Sequence, residues 1–254
     1  MSVPNTNTFS FWDVCNEIYG SHSAGMNLVQ CFADATGTFD STYVGSRNSL
    51  LNFRNYQNKI TVTDIDGNVY DTVKIGNQIW TTTNFKAYRY NDGSLYVLHG
   101  TPNQDWLAYP SFTWLDNVNY EATAGRKLGR LYNFYAVNQT NFAPIGWHVP
   151  SKTEVETLIN TLGGSSSASA ALRGSVNNGG SNSSGFNALD SGFYVTPGYY
   201  FGGTVANSGY AAFAMWTKTV NGSQAYALQL GNNLVSEILL NSESMGFSVR
   251  LIKD

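Results

Sequence analysis

Charge is what this chain has least of. Its 254 residues include 14 Lys and Arg and 17 Asp and Glu, so only 12% are charged, where an ordinary soluble domain carries roughly a quarter. With a formal net charge of −3 at pH 7, there is no long-range positive field of the kind that gathers nucleic acid or anionic membrane, and neither is expected as a partner. Cysteine is nearly missing too: Cys15 and Cys31 are the only two. A single pair without histidine at ligand spacing is not a zinc signature, and it reads as two small buried hydrophobes kept reduced. No apolar run approaches the roughly 18 residues of a membrane span. The opening Met1-Ser-Val-Pro-Asn-Thr-Asn-Thr has neither the basic cluster nor the apolar run of a secretory signal, so folding in cytoplasm is expected. Histidine is limited to His22, His99 and His148, a thin inventory for a catalyst.

What is abundant is neutral polarity and aromatic area. The chain has 25 Gly, 14 Phe, 16 Tyr and 6 Trp among many Asn, Ser and Thr. Disordered chains lack aromatics, so this composition predicts a packed, β-rich globule with a surface of amides and hydroxyls.

Two textures divide the sequence. Residues 1–58 hold short apolar clusters around Phe9-Ser-Phe-Trp-Asp-Val-Cys15, Asn27-Leu-Val-Gln-Cys-Phe32 and Leu50-Leu-Asn-Phe-Arg-Asn-Tyr56. A segment this small buries a poor fraction of its surface. It is therefore expected to lean on a partner subunit or on the larger domain, with Phe11, Trp12, Leu50, Leu51, Phe53 and Tyr56 as its attachment residues. From Ile60 a β-meander is predicted: Ile60-Thr-Val-Thr-Asp-Ile alternates, Asp66-Gly67 makes a turn, and Val69-Tyr-Asp-Thr-Val-Lys-Ile returns before Gly76-Asn77. Ser151-Lys-Thr-Glu154 is a capping box ahead of Val155, Leu158, Ile159 and Leu162 at helical spacing. A second helix is predicted over 126–137 from the spacing of Leu128, Leu131, Tyr132 and Tyr135. Residues 165–184 read as exposed loop interrupted by Ala170-Ala-Leu-Arg. Strands are predicted over Phe193-Tyr-Val, 212–218, 225–230, 234–240 and 247–252.

At this point the chain resembles a known family, the Fibrobacter succinogenes major paralogous domain of Bacteroidetes-type proteins, over about residues 60–254. The resemblance is carried by Thr63-Asp-Ile-Asp-Gly-Asn-Val-Tyr-Asp-Thr-Val-Lys-Ile-Gly-Asn-Gln-Ile-Trp80, Tyr90-Asn-Asp-Gly, Gly129-Arg-Leu-Tyr-Asn-Phe-Tyr-Ala-Val-Asn138, Pro144-Ile-Gly-Trp-His-Val-Pro-Ser151, Ser184-Gly-Phe-Asn-Ala-Leu189, Trp216-Thr-Lys-Thr219 and Gly246-Phe-Ser-Val-Arg250. It implies an α+β, C-type lectin-like domain akin to formylglycine-generating enzymes: two helices, twisted antiparallel sheets and long loops, with the last strand returning beside the first. Trp80, Trp147, His148, Trp216 and Arg250 would then be structural. The family usually carries a cysteine before Pro-x-Gly-Trp-His-Val-Pro and another after Ser-Val-Arg. Here Ala143 and Leu251 stand there, a paired loss that fits a protein folding in a reducing compartment.

Residues 1–58 resemble, less specifically, N-terminal modules of tailed-phage virion proteins, through Ser10-Phe-Trp-Asp-Val14 and Val44-Gly-Ser-Arg-Asn-Ser-Leu-Leu-Asn-Phe-Arg-Asn-Tyr56. That resemblance implies a phage virion structural protein, in tail, baseplate or capsid, of a phage infecting a Bacteroidetes-type host. It would attach to other virion proteins through residues 1–58, form a homo-oligomer and leave the host by lysis. The alternative is a bacterial surface or secreted adhesin with the same domain. An enzyme comes third, because formylglycine-generating enzymes work through paired cysteines and residues 60–254 contain none; no catalytic residue is assigned.

Candidate ligand contacts follow from side-chain chemistry. Tyr199, Tyr200, Tyr226, Asn232 and Asn233 offer aromatic faces and amides suited to sugar hydroxyls or peptide groups of a host-surface glycan or protein. No cofactor is expected. A Ca²⁺ site at Asp64-Ile-Asp66-Gly-Asn68 competes with a plain hairpin turn there, since the distal Glu of an EF-hand is missing. Thr101-Pro-Asn-Gln-Asp-Trp106 has the letters of a Ca²⁺-lectin loop but comes too early in the domain.

Overall fold

The computed structural model describes the chain apart from residues 1, 2, 5, 7, 22–24, 36, 38, 55, 57–59, 96, 99–108, 114–127, 175–179, 196–198, 202–212 and 231–235, and apart from the side chains of 97, 98 and 199–201. The chain divides into two compact units, Met1–Ile60 and Thr61–Asp254.

In the first unit, α1 (Phe11–Tyr19) starts where Ser10 and Asp13 cap each other's backbone N–H and stops at Gly20, whose φ of 72° suits a residue without a side chain. Helix α2 (Leu28–Asp34) is capped by Asn27, which accepts from the Gln30 N–H at 2.9 Å. A 3₁₀ turn spans Leu50–Phe53. Val14, Cys15, Cys31, Phe53 and Tyr56 are buried together, and Phe32 and Phe39 pack on them, with ring centroids 4.3 Å apart for Phe32–Phe53 and 4.7 Å for Phe39–Tyr56. The Tyr19 hydroxyl donates to Asp34 at 2.9 Å and ties α1 to α2. Both cysteines are free and buried, in contact with each other; burial first, and then the neighbouring Cys31, push the Cys15 thiol up to about 11.

The second unit is α+β. Its strands are β1 (Thr61–Thr63), β2 (Val69–Ile75), β3 (Gln78–Thr81), β4 (Val97–Leu98), β5 (Ser111–Thr113), β6 (Leu131–Asn133), β7 (Trp147–His148), β8 (Phe193–Val195), β9 (Tyr199–Phe201), β10 (Phe213–Asn221), β11 (Gln224–Leu230), β12 (Ser236–Ser242), β13 (Gly246–Phe247) and β14 (Ile252–Lys253); its helices are α3 (Phe134–Val137), α4 (Lys152–Thr161) and α5 (Ser165–Leu172). They form three sheets, in strand orders β1-β2-β3-β14-β7, β10-β11-β12 and β4-β5-β6-β13-β8-β9. The pairings between these strands are antiparallel except that of β4 with β5. Helices α4 and α5 supply Val155, Leu158, Ile159, Ala168 and Leu172 to a core shared with Trp80, Phe186, Phe213, Met215, Leu228 and Ile252.

The predicted meander is present as β1, β2 and β3, and the capping box opens α4: Ser151 and Glu154 bond each other's backbone N–H. Three expectations are corrected. The helix over 126–137 reduces to α3, because Leu131-Tyr-Asn133 is a strand buried on both faces. Gly129 turns the chain there with φ of 72°; a Cβ on it would lie 2.6 Å from the Asn84 Cβ. The loop over 165–184 begins instead with α5, whose Ala168, Ser169 and Leu172 face the core. The strand over 247–252 splits into β13 and β14, which join different sheets. The closing strand β14 therefore lies between β3 and β7, with Ile252 opposite both Trp80 and His148, and not beside the first strand, β1.

Candidate functional site

Several segments converge on Arg250, which is fully buried. Its Nε donates to Asn84 Oδ1 at 2.6 Å, Nη1 to the carbonyls of Thr81 at 2.9 Å and Phe186 at 2.8 Å, and Nη2 to that of Asn187 at 2.7 Å. Its Cζ lies 4.8 Å from the Phe186 ring centroid and 5.6 Å from that of Phe213. Among the described residues no carboxylate pairs with it. Burial pushes its pKa down to about 9, so it stays cationic at neutral pH, satisfied by oxygen dipoles and ring faces. Asn84 extends the network, donating through Nδ2 to the Leu128 carbonyl at 2.7 Å and to Ser248 Oγ at 3.2 Å. Arg250 thus staples the end of β3, the 184–189 segment and the closing strand. Thr81, Asn84 and Phe186 sat in or beside the quoted blocks, but nothing in residue spacing marked them as guanidinium acceptors.

His148 bridges two carboxylates: Nδ1 lies 2.5 Å from Asp254 Oδ1 and Nε2 lies 2.9 Å from Glu154 Oε1. Burial lowers its pKa, but the hydrogen bonds to Asp254 and Glu154 outweigh this and the net shift is upward. For Glu154 burial pulls upward, and the Ser151 N–H together with His148 brings the net shift down. The cluster joins the helix cap to the end of β14, which is a structural task. Trp216 is buried, with its indole N–H donating to the Tyr132 carbonyl at 2.7 Å, and Trp80 and Trp147 are buried as well. His22 and His99 lie outside the described residues.

The Asp64-Asn68 turn uses its oxygens on protein donors. Asp64 accepts from the N–H groups of Asp66 and Asn68, from the Asn68 amide and, at 2.5 Å, from the Tyr70 hydroxyl. Asp66 accepts from Arg89 Nε at 2.6 Å and from the Tyr88 N–H at 2.7 Å. This is a hairpin turn whose carboxylates are already hydrogen-bonded. The 101–106 stretch lies outside the described residues.

The proposed ligand residues are dispersed among the elements. Tyr199 and Tyr200 lie on β9, the edge strand of the six-stranded sheet, opposite Val195 and Tyr194; their side chains are outside the described set. Tyr226 is half-buried on the central strand of a different sheet, with the Lys152 ammonium 5.0 Å from its ring centroid. Asn232 and Asn233 fall outside the described residues. Of the six attachment residues, Trp12 and Leu51 are about half exposed at 47% and 50%. Phe11 and Leu50 are half-buried against the core of their unit. Phe53 and Tyr56 are a correction: both are fully buried and build that core, so they support a contact surface without forming it. Sequence reading missed the open cleft of about 210 Å³ lined by Leu28, Val29, Phe32, Arg47 and Asn48. Its signal was Val29, an aliphatic side chain left 80% exposed on α2.

No helix among the described residues is long and apolar enough to cross a membrane, and no group of three or more metal-ligating side chains lies among them. No curated protein and no solved structure matches the chain. The family model described as Fibrobacter succinogenes major domain matches residues 73–253, the segment holding β3, the helix cap at Ser151 and the Arg250 staple, and the chain belongs to that family.

Proposed function

We propose that the chain is a virion structural protein of a phage infecting a Bacteroidetes-type host. Its N-terminal unit fastens to neighbouring virion proteins, and its larger unit, a C-type lectin-like module, faces outward to bind host-surface glycan or protein. The observation that carries this reading is the character of the N-terminal unit. It closes its own aromatic core yet leaves Trp12, Val29 and Leu51 exposed, and Val29, Leu28 and Phe32 line an open cleft. Exposed apolar area of this kind marks contact surfaces. The lectin-like assignment is supported by the closing strand returning into the sheet that the domain opens with. A binding role is supported by where the reactive side chains go: Arg250, His148, Asp64 and Asp66 all serve structural hydrogen bonds.

In this reading β9, with Tyr199 and Tyr200, is the ligand face. A glycan array probed with wild type and a Tyr199→Ala/Tyr200→Ala variant tests it. Binding by the wild type that the double variant loses by tenfold or more is the expected outcome, from about 1–3 kcal/mol of lost aromatic contact. Equal binding by both removes this site.

A further inference from the structure

The outer strand of the three-stranded sheet has the features of a pairing edge. β12 matches β11 at seven consecutive positions without a bulge, from Leu230 opposite Ser236 to Gln224 opposite Ser242, and β11 is its one strand neighbour among the described residues. Natural edge strands are blunted by Lys, Pro, bulges or shortness, because a regular edge templates pairing with another chain. Ser236-Glu-Ile-Leu-Leu-Asn-Ser242 has none of these and a single charge, Glu237. On one face Leu239 is 43% exposed, and on the other Ile238 packs at the margin of the α4–α5 core. Two carbonyls of the strand already accept side-chain hydrogen bonds, that of Leu239 from the Asn241 amide at 2.8 Å and that of Ser236 from the Ser165 hydroxyl of α5.

We propose that β12 is a self-association edge: two copies of the chain pair antiparallel about a two-fold axis at Leu239 and extend the sheet continuously from one copy into the other. Side-chain charge disfavours two neighbouring registers and is compatible with this one. Centred on Leu239, the two leucines face each other, Ile238 faces Leu240 of the second copy on the core side, and Glu237 faces the amide of Asn241. Centring on Glu237 opposes two carboxylates, and centring on Leu240 opposes Glu237 to Glu243; like charges directly opposite are destabilising. The pairing is isologous and therefore closed at two copies. Its area falls at the small end of specific interfaces, below about 1,200 Å², so the dimer depends on concentration.

Sedimentation of the full chain over a wide concentration series tests it, together with hydrogen exchange read at β12. The expected results are a mass rising from 27.8 kDa toward twice that, slower exchange at residues 236–242 as the mass rises, and a weakening of about tenfold or more in Leu239→Lys, which opposes two ammonium groups. Leu239 is partly exposed, so the variant keeps its fold, and the exchange readout on wild type stands even where it does not. A constant monomer mass overturns the proposal. So does association that leaves exchange at 236–242 unchanged, or that Leu239→Lys does not weaken.

Discussion

A buried arginine with no carboxylate partner among the described residues is an unusual way to hold a fold, and Arg250 shows what makes it affordable. Taking a guanidinium out of water is costly, and here four oxygen acceptors and two aromatic faces offset the cost. Removing it strands those acceptors, each worth about 1–3 kcal/mol when buried and unsatisfied. Arg250→Met is expected to lower stability by about 3–5 kcal/mol, measured by urea unfolding. Arg250→Lys restores the charge but not the planar fork and should recover only part of the loss. His148 gives a second prediction. Its folded-state pKa is raised, so its contribution is complete below the ordinary 6.5 and fades as pH rises through the folded value. Glu154 is lowered, so its contribution is complete above 4.5 and fades as pH falls through its own folded value. The cluster therefore stabilises most between about pH 4.5 and 6.5. A thermal-unfolding series across pH should show wild type losing its advantage over His148→Gln as pH climbs above that window; a constant difference would contradict this.

At the level of elements, legibility followed local chemistry. The α4 helix could be read because Ser151 and Glu154 satisfy the helix start from within the sequence. Ser151→Ala is accordingly expected to cost about 1 kcal/mol, a drop of about 2–4 °C in Tm for a chain of this size. The meander could be read because Gly67 and Gly76, both with positive φ, sit between alternating strands. The failures share one cause, which is tertiary context. Leu128, Leu131, Tyr132 and Tyr135 keep a helical spacing, yet Leu131 and Tyr132 are both buried in β6, where a strand covered on two faces loses its alternation. The Ser-rich start of α5 has weak propensity and no side-chain cap, and is held by Ala168 and Leu172 in the core. The break between β13 and β14 depends on Ser248 meeting β10 and Leu251 meeting Thr81, partners far away in sequence. At the candidate site Trp216 and Arg250 are buried and His148 is held between two carboxylates, in keeping with residue types expected to serve packing. Phe53 and Tyr56 were misplaced, because an aromatic cluster in a short segment looks the same whether it closes a small core or serves a partner.

At the scale of the whole molecule, low charge and few cysteines are matched by how the fold is held. The second unit is held largely by neutral hydrogen bonds and ring contacts, with two buried guanidiniums, Arg173 and Arg250, among its described residues. Its two ends meet where β14 enters the sheet of β1, β2 and β3. That arrangement suits a display domain, while the small helical unit with its exposed Trp12, Val29 and Leu51 suits attachment. The most direct test is mass spectrometry of phage particles purified away from the host lysate in which this chain is produced. The chain should co-purify with the particles in constant proportion to the other virion proteins, and a Trp12→Ala/Leu51→Ala variant should be depleted from them. Particles that contain none of it, while the lysate does, would contradict the account.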